Sequence, residues 1–466
     1  MKYFFETYGC EMNIAESASV EQILISRGWT KAENCESADM VVINTCSVRA
    51  TAETRIFGRL GFYTGLKKVR SKDKDAKLKS EEMKKAVDFV NENGIVPLKI
   101  VVMGCMAERL LKTLQKDWPC VDYVVGTYAK NKFGEIITAV ENNETLAEIE
   151  EEPVYSFAET SYEEGAFSTF VPIMHGCNNF CSYCIVPYVR GREVSRPLVQ
   201  ILNELDILSK RGVKEITLLG QNVNSYKGTD EKGNEINFPK LLQKISSHLN
   251  STKSSIEWIR FESSNPKDFS DELIDVIAAD SHICKGLHIA VQHGSTKILK
   301  AMNRKYTRES YLELIGKLKS RIPDLVLSTD IMLGFPGETQ EDAEEVLTLM
   351  EEVKYESAFM YYYNPREGTP AARMENQIPL EEKKKRLQKV IDLQLKIQNE
   401  VMTGRVGKTV KVLADIISRD NKSELLGKTE QNERVAFAGS PSLIGKFVTV
   451  HIDSLNGNTY RGTLCT

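Results

Sequence analysis

Cys177, Cys181 and Cys184 form a Cys-x3-Cys-x2-Cys pattern within one short segment of the chain. Three thiolates in one loop can ligate three irons of a 4Fe–4S cluster, and the fourth iron then has no protein ligand. An open iron can chelate the amino and carboxylate groups of S-adenosylmethionine and pass an electron into its sulfonium. The spacing therefore favours radical chemistry based on reductive cleavage of S-adenosylmethionine.

A structural zinc knuckle is the alternative interpretation of these three cysteines. Structural zinc sites take four protein ligands in a closed tetrahedron. The sequence offers no nearby fourth cysteine, and His175 belongs to the strand that is predicted to enter the loop. Spacing and context together favour the iron–sulfur cluster over zinc.

Three more cysteines, Cys10, Cys46 and Cys105, each follow an apolar run in the first part of the chain. The carboxyl ends of parallel strands lie along one edge of a sheet, where ligands bind. These cysteines could therefore converge into a second three-thiolate site, or they could be inert thiols of the core. The remaining cysteines have no motif partner, which predicts inert thiols. They are Cys35, Cys120, Cys284 and Cys465.

The elements that position the N-terminal cysteines are predicted to be strands that alternate with helices. Apolar runs at residues 3–8, 40–43, 100–103 and 121–125 are separated by long polar or amphipathic stretches. This alternation is typical of a parallel sheet covered by helices. A stretch rich in Lys, Asp and Glu, 67–85, is predicted to be a solvated helix or a mobile loop rather than an RNA contact.

A second block of alternating elements follows an acidic, aperiodic segment that is predicted to be a linker. Six apolar runs separated by helical segments predict a (β/α)6 partial barrel, whose reactive groups lie at the carboxyl ends of the strands. The six runs are 170–174, 215–219, 256–261, 287–291, 326–333 and 358–363. Helices are predicted at 199–211, 339–353 and 380–402.

The last part of the chain changes to short alternating strands at 409–413, 434–437, 447–452 and 460–463. Such strands predict a small antiparallel β-barrel. Residues 403–466 contain nine Lys or Arg and six Asp or Glu, a balance of +3. This basic balance indicates a polyanionic partner, with a generic β module as the alternative.

The composition of the whole chain excludes several classes of protein. Its 466 residues include 61 Lys or Arg and 65 Asp or Glu, so the net charge of −4 excludes a strongly basic nucleic-acid coat. A hydrophobic fraction of 41% excludes global disorder. The sequence has no apolar run of membrane-spanning length and no signal-peptide pattern at its start, which predicts a cytoplasmic protein.

The chain resembles the radical-SAM superfamily, and within it the methylthiotransferases. The matching segments are 176–184, 186–197, 219–224, 328–330 and 334–339. The resemblance implies that Tyr183 packs beside the adenine of S-adenosylmethionine. Gln221, Ser328 and Asp330 are predicted to contact S-adenosylmethionine because they lie at predicted strand ends, with loop capping as the alternative role.

Segments outside the predicted barrel resemble the same family. They are 8–13, 44–49 and 104–105 in the first part, and 427–429 and 444–450 in the last. The family's N-terminal domain binds an auxiliary 4Fe–4S cluster, so the resemblance implies that Cys10, Cys46 and Cys105 are its ligands. The C-terminal segments are similar to the TRAM domain, an RNA-binding barrel whose basic residues would contact phosphates without reading sequence.

The resemblance implies a domain plan and a reaction. Residues 1–145 would form the domain of the auxiliary cluster, 146–168 a linker, 169–402 the radical-SAM domain and 403–466 the TRAM-like domain. One S-adenosylmethionine would methylate a sulfur held at the auxiliary cluster. A second would yield a 5′-deoxyadenosyl radical that removes the hydrogen at carbon 2 of an adenine, where the methylthio group adds.

Segment 44–49, with Arg55 and segment 58–61, looks most like the MiaB branch of the family. That branch acts on isopentenyl-adenosine 3′ of the anticodon in tRNA. The partners implied are a tRNA anticodon stem-loop that carries this nucleoside, and an electron donor.

Two alternatives remain open at the level of sequence. A sister branch acts on threonylcarbamoyl-adenosine and shares the cysteines, and a non-catalytic iron–sulfur RNA-binding protein is the alternative from another class. Three residues depart from the family pattern, because Asn265, Ala290 and His293 stand where histidine, proline and serine are expected. These departures affect expectations about base contacts, but none is a cluster cysteine.

Overall fold

The computed structural model describes residues 1–47, 50–73, 80–144, 146, 155–157, 162–163, 165–419 and 421–465. The chain divides into two units. The first consists of Met1–Glu164, Thr169–Asn178 and Ile185–Val194, and the second of Gly165–Ser168, Asn179–Cys184 and Ser195–Thr466.

A five-stranded parallel sheet in the order β2-β1-β3-β4-β5 forms the centre of the first unit. Its strands are β1 (Lys2–Thr7), β2 (Thr30–Lys31), β3 (Met40–Thr45), β4 (Lys99–Gly104) and β5 (Tyr123–Val125). Four of these strands overlap the four predicted runs, which confirms the predicted parallel sheet. The short strand β2 was not predicted.

Helices cover both faces of this sheet. They are α1 (Glu11–Ser26), α2 (Ala50–Arg70), α3 (Glu81–Asn93), α4 (Cys105–Arg109), α5 (Leu114–Asp117) and α6 (Phe133–Glu141). Val41 packs on one face in a cluster with Ile56 of α2, and Val42 packs on the other in a cluster with Phe133 of α6. Because both faces are buried, the strands are apolar along their length instead of alternating.

Two predicted segments lie partly outside the described residues. The stretch 67–85 includes the end of α2 and the start of α3, which agrees with the helical alternative, but 74–79 are not described. Most of the predicted linker 146–168 is likewise not described. Short elements lie in the stretches of chain where the residues pass from one unit's assignment to the other's. They are β6 (Ser168–Pro172), β7 (Met174–His175), α7 (Val186–Val189) and β8 (Val194–Ser195).

The second unit contains parallel strands that alternate with helices. Its strands are β9 (Glu215–Leu219), a hairpin of β10 (Lys227–Thr229) and β11 (Glu235–Asn237), then β12 (Trp258–Phe261), β13 (Gly286–His288), β14 (Val326–Leu333) and β15 (Ser357–Tyr362). Its helices are α8 (Leu198–Lys210), α9 (Phe238–Thr252), α10 (Asp271–Ala279), α11 (Thr296–Ala301), α12 (Arg308–Arg321), α13 (Gln340–Val353) and α14 (Leu380–Thr403).

The pairings in this unit are those of a parallel α/β fold. Strand β12 pairs in parallel with β9, and β13, β14 and β15 form a second parallel group. Parallel bridges from Ile259 to Ile283 and from Ser264 to Ile289 connect the two groups. The parallel strands overlap the predicted runs, and the predicted helices at 199–211, 339–353 and 380–402 correspond to α8, α13 and α14.

A closed barrel of five strands ends the chain, in the order β16-β17-β18-β20-β19. Its strands are β16 (Thr409–Ile417), β17 (Glu424–Thr429), β18 (Arg434–Ala438), β19 (Phe447–Asn456) and β20 (Thr459–Leu464). The predicted small barrel is confirmed, although β17 was missed and the pairing of β18 with β20 is parallel. Within the described part of the chain, no helix combines the length and the apolar character needed to cross a membrane.

Candidate functional site

The strand order of the first unit places three cysteines along one edge of the sheet. Cys10 caps α1 after β1, Cys46 follows β3, and Cys105 begins α4 directly after β4. Strands β1, β3 and β4 are neighbours, and the strand order reverses direction between β1 and β3. Ligands of open parallel sheets bind outside the carboxyl ends of the strands at such a reversal. The structure therefore brings together the three cysteines that the sequence analysis singled out.

Glycines allow the cysteine loops to approach closely. Gly9 has φ +135°, and a Cβ atom at this position would lie 2.8 Å from the Cβ of Cys46. Gly104 has φ +94°, and a Cβ there would lie 2.5 Å from Asn44 Oδ1. Both positions therefore require glycine, because any side chain would push the neighbouring loops apart.

Burial favours the protonated form of two thiols at this edge, because it raises the pKa of both Cys10 and Cys105. Burial raises the pKa of the Cys105 thiol to about 11, against the opposing effect of the Arg190 guanidinium. Cys46 and Cys10 also raise this pKa, which places the three sulfurs within electrostatic range of one another. Metal binding at such a site must release the thiol protons.

These residues fit an iron–sulfur cluster better than a single ion. Among the described residues, no three His, Cys, Asp or Glu side chains are grouped as ligands of one metal ion. In a 4Fe–4S cluster each cysteine binds a different iron, so the three thiolates are spread around the cluster. Three strand-end thiols, two of which interact with the buried Arg190, are a donor set that fits such a cluster.

Sequence reasoning missed the charged groups behind these cysteines. Arg190 is 2% exposed and donates from Nε to Cys105 Sγ at 3.1 Å. Its Nη1 donates to Glu16 Oε1 at 2.7 Å, and Lys130 Nζ donates to the same oxygen. Burial opposes ionisation of Glu16, but Arg190 and Lys130 lower its pKa to about 2. The signal in the sequence was the position of Arg190 in the matching segment 186–197.

Cys177 lies in the first unit, directly after β7 and Gly176. Gly176 has φ +77°, and a Cβ there would lie 2.1 Å from the carbonyl oxygen of Arg192. The backbone N–H of Cys177 donates to the carbonyl of Gly191 at 3.0 Å. The segment that follows Cys184, at Gly191 and Arg192, therefore packs against the loop at Cys177 and fixes its position.

Cys181, Tyr183 and Cys184 lie in the second unit. The N–H of Cys184 donates to the carbonyl of Cys181 at 3.0 Å, which closes a tight turn between these two cysteines. Arg304 Nη1 donates to Cys181 Sγ at 3.5 Å. Tyr183 packs at the side of a buried cluster that includes Phe335. The loop thus presents the Cys181 thiol beside a guanidinium.

Ser328 and Asp330 lie within β14, so their prediction as strand-end residues was wrong in position. Both contact His288 of β13, whose Nδ1 is 3.0 Å from Ser328 Oγ and whose Nε2 is 3.3 Å from Asp330 Oδ2. Burial raises the pKa of Tyr306 to about 12, and Arg304, Cys181 and Asp330 also affect it. Tyr306 is therefore within electrostatic range of both the loop cysteine Cys181 and Asp330.

Unpaired polar atoms mark the carboxyl ends of β9 and β12. Gln221 Oε1, both amide atoms of Asn224 and Ser264 Oγ are buried without a hydrogen-bond partner among the described residues. A buried polar atom without a partner costs about 1–3 kcal/mol. This edge therefore fits a polar ligand such as S-adenosylmethionine.

Three family models match the chain. The uncharacterized protein family UPF0004 matches residues 2–126, the Radical SAM superfamily matches 171–350, and the TRAM domain matches 404–465. Full-length relatives match as well, each bearing the name tRNA-2-methylthio-N(6)-dimethylallyladenosine synthase. The synthase of Treponema denticola is 51% identical to this chain, and the alignment covers 100% of both sequences. That of Treponema pallidum (strain Nichols) is 50% identical over 100% of this chain and 99% of its own length.

This chain belongs to the family of tRNA-2-methylthio-N(6)-dimethylallyladenosine synthases. A more distant synthase, from Parabacteroides distasonis, is 42% identical over 99% of this chain and 95% of its own length. The family assignment confirms the resemblance to the MiaB branch.

Solved structures support the fold of this synthase family member. The radical S-adenosylmethionine methyltransferase TsrM from Kitasatospora setae, solved with cobalamin and a [4Fe-4S] cluster, aligns with a TM-score of 0.54 at 14% identity. The alignment covers 80% of this chain and 77% of TsrM. OxsB, a cobalamin-dependent radical enzyme, aligns with a TM-score of 0.50 at 12% identity over 84% of this chain and 56% of OxsB. The predicted radical-SAM architecture is confirmed.

The three departures from the synthase family pattern make internal contacts. Asn265 Oδ1 accepts a hydrogen bond from the N–H of Lys267 at 3.3 Å, and the carbonyl of Ala290 accepts one from Arg304 Nη2 at 2.8 Å. His293 Nε2 lies 3.2 Å from Glu338 Oε2, and both side chains are fully buried. The histidine therefore changes a contact in the interior of the second unit.

Proposed function

We propose that this protein is an enzyme that inserts a methylthio group at carbon 2 of isopentenyl-adenosine in tRNA. Isopentenyl-adenosine is the dimethylallyladenosine in the name of its relatives. The observation that carries the proposal is the full-length identity of 51% to the Treponema denticola synthase. The modified nucleoside lies 3′ of the anticodon, and an electron donor supplies the reducing equivalents.

The two groups of cysteines hold two 4Fe–4S clusters in this proposal. Cys177, Cys181 and Cys184 hold one, and the edge thiols Cys10, Cys46 and Cys105 hold the auxiliary cluster. When bound, these clusters supply the electron that cleaves S-adenosylmethionine and the sulfur that enters the product. The loop spacing and the neighbouring ends of β1, β3 and β4 support this division.

Side chains of the second unit bind and orient S-adenosylmethionine. Gln221 offers a buried oxygen without a partner, and Ser328 and Asp330 offer polar atoms beside His288. Tyr183 packs beside the adenine. Each role stays a proposal, which the orphaned atoms and the β13–β14 contacts support.

The closed C-terminal barrel binds tRNA phosphates and positions the anticodon stem-loop. Phosphate contacts orient a nucleic acid without reading its sequence. The target adenine has to leave the stack of loop bases, at a cost of roughly a few kcal/mol. The domain plan 1–145, 146–168, 169–402 and 403–466 remains a proposal, supported by the end of α14 at Thr403. The cytoplasmic location also stays a prediction.

Both alternatives are less well supported. The full-length relatives described above are named for dimethylallyladenosine, which does not favour threonylcarbamoyl-adenosine. A purely structural cluster would have four ligands, whereas Cys-x3-Cys-x2-Cys supplies three.

An anaerobic assay with two tRNA substrates tests the proposal. Reconstituted protein is incubated with S-adenosylmethionine, a reductant and tRNA that carries either isopentenyl-adenosine or threonylcarbamoyl-adenosine, and the nucleosides are analysed by mass spectrometry. We expect a methylthio product from the first tRNA only. Product from the second tRNA alone would move the assignment to the sister branch, and absence of both with active control enzymes would contradict the proposal.

A further inference from the structure

One of the three guanidinium nitrogens of the buried Arg190 side chain donates a hydrogen bond to a cysteine. Arg190 lies at the end of α7, and its carbonyl accepts a hydrogen bond from the Tyr128 hydroxyl at 3.0 Å. Its Nε donates to Cys105 Sγ at 3.1 Å. Cys105 Sγ is the only acceptor of this N–H among the described residues, so this hydrogen bond fixes the position of the sulfur relative to the guanidinium.

A carboxylate fixes the orientation of the same guanidinium. Nη1 and Nη2 of Arg190 donate to the two oxygens of Glu16 at 2.7 and 3.3 Å. A planar guanidinium bound at two points cannot rotate, so Nε remains directed at the sulfur. On its far side, Nη1 is 3.4 Å from Nδ1 of the buried His175, whose ring stacks on Tyr155.

The charges in this cluster of side chains leave one positive charge in excess. Arg190 and Lys130 are cations, and within the described part of the chain Glu16 is the carboxylate that pairs with both. A pair of one cation with Glu16 would already be neutral. The excess positive charge is therefore available to the cysteine thiolates when a cluster is bound, and Arg190 interacts electrostatically with Cys105 and Cys10.

We propose that Arg190 is a positioning residue of the auxiliary site that raises the reduction potential of the 4Fe–4S cluster held there. This inference rests on the proposed function for the presence of that cluster. Reduction adds one electron, and hence one negative charge, to the cluster. A hydrogen bond to a ligating sulfur and a nearby cation both stabilise the more negative form.

The test uses the full chain with Cys177, Cys181 and Cys184 each replaced by Ala, so that one cluster remains. Its midpoint potential is measured by a redox titration followed by electron paramagnetic resonance, together with iron content. R190M leaves Glu16 paired with Lys130, so no buried charge loses its last partner. K130M is the matched control, because Lys130 pairs with the same carboxylate but contacts no sulfur among the described residues.

R190M is expected to keep the cluster and to lower its midpoint. At the potential where the parent is half reduced, the oxidised form of R190M should exceed the reduced form by about tenfold. A midpoint that equals the parent's, or that shifts no more than that of K130M, would overturn the proposal.

R190K covers the case in which R190M loses its iron. A compact ammonium cannot donate to both Glu16 and Cys105 as the guanidinium does, so R190K should also have a lower midpoint than the parent. An unchanged midpoint in R190K would then overturn the proposal. If the chain that lacks Cys177, Cys181 and Cys184 but keeps Arg190 binds no iron, the proposed auxiliary cluster itself is contradicted. This outcome differs from an unchanged midpoint potential, which would overturn only the role of Arg190.

Discussion

Asn13 and Asn44 hydrogen-bond each other through their side-chain amides behind the loops of two candidate ligands. Asn13 Nδ2 donates to Asn44 Oδ1 at 2.8 Å, and both residues are fully buried. Asn13 Oδ1 accepts from Cys10 Sγ at 3.3 Å, and Asn13 Nδ2 also donates to the carbonyl of Thr45, next to Cys46. The amide pair therefore links the loop of Cys10 to the loop of Cys46, although the two loops are distant in sequence.

Replacing Asn44 should weaken the auxiliary site. N44A removes one of the two hydrogen bonds that Asn13 Nδ2 donates, and also the hydrogen bond from Asn44 Nδ2 to the Ser17 hydroxyl. Loss of such support typically lowers metal affinity about 10–100-fold. The measurement is iron retention against a chelator, in the chain whose Cys177, Cys181 and Cys184 are replaced by Ala. N237A, which removes an exposed helix cap of α9, is the control and should retain iron. Equal retention by N44A would contradict the role of the amide pair.

Removing an orphaned polar atom should weaken ligand binding without destabilising the fold. The N224A substitution removes no side-chain hydrogen bond, because neither amide atom of Asn224 has a partner among the described residues. The free energy of unfolding of N224A should therefore be unchanged or higher. Binding of S-adenosylmethionine should weaken about tenfold, as expected for one lost hydrogen bond to a charged ligand. Equilibrium dialysis measures the affinity, with Q388A on the surface of α14 as control. Unchanged affinity would remove Asn224 from the binding site.

Stability should fall as the pH rises, because of a buried carboxyl. Burial and the neighbouring Glu433 raise the pKa of Glu356 to about 8, although Arg405 opposes them. The folded form therefore binds the proton more tightly than the unfolded chain, so its stabilising effect is complete below about pH 4.5 and disappears as the pH rises to about 8.

Urea unfolding at several pH values tests this expectation. E356Q should flatten the decline of the free energy of unfolding between about pH 5 and 8. E344Q, at an exposed position on α13, should leave the decline unchanged. A parallel decline in E356Q and the parent would show that another group is responsible.

Basic side chains on the barrel should account for part of the salt dependence of tRNA binding. Lys428 and Arg434 are opposite each other on β17 and β18. Replacing both with Ala should reduce the slope of log affinity against log salt by about one to two. K411A is a suitable control, because the charge of Lys411 is already paired with Glu257 at 2.5 Å. An unchanged slope in the double variant would place the RNA contact elsewhere.

Much of the fold could be predicted because its strands are buried on both faces and therefore appear as continuous apolar runs, as in β3 and β4. Two strands carried no such signal. Strand β2 has two residues, both exposed. The inward positions of β17 include Gly427, where a Cβ would lie 2.5 Å from the carbonyl of Leu413, so close packing replaces hydrophobic alternation there.

The candidate site divides in the same way. The cysteines could be predicted because their spacing and strand-end positions are local properties. Arg190 and Glu16 are far apart in the chain, so their pairing behind Cys105 could not be predicted from either segment. His288 likewise meets Ser328 only through the register of β13 and β14.

The central claim is that two groups of cysteines in one chain perform different tasks. The most direct test measures 5′-deoxyadenosine and the methylthio nucleoside in C46A and C181A, with C284A as a control at a buried thiol outside both groups. We predict that C181A makes neither product, that C46A makes 5′-deoxyadenosine but no methylthio nucleoside, and that C284A makes both. Methylthio nucleoside from C46A would contradict the account.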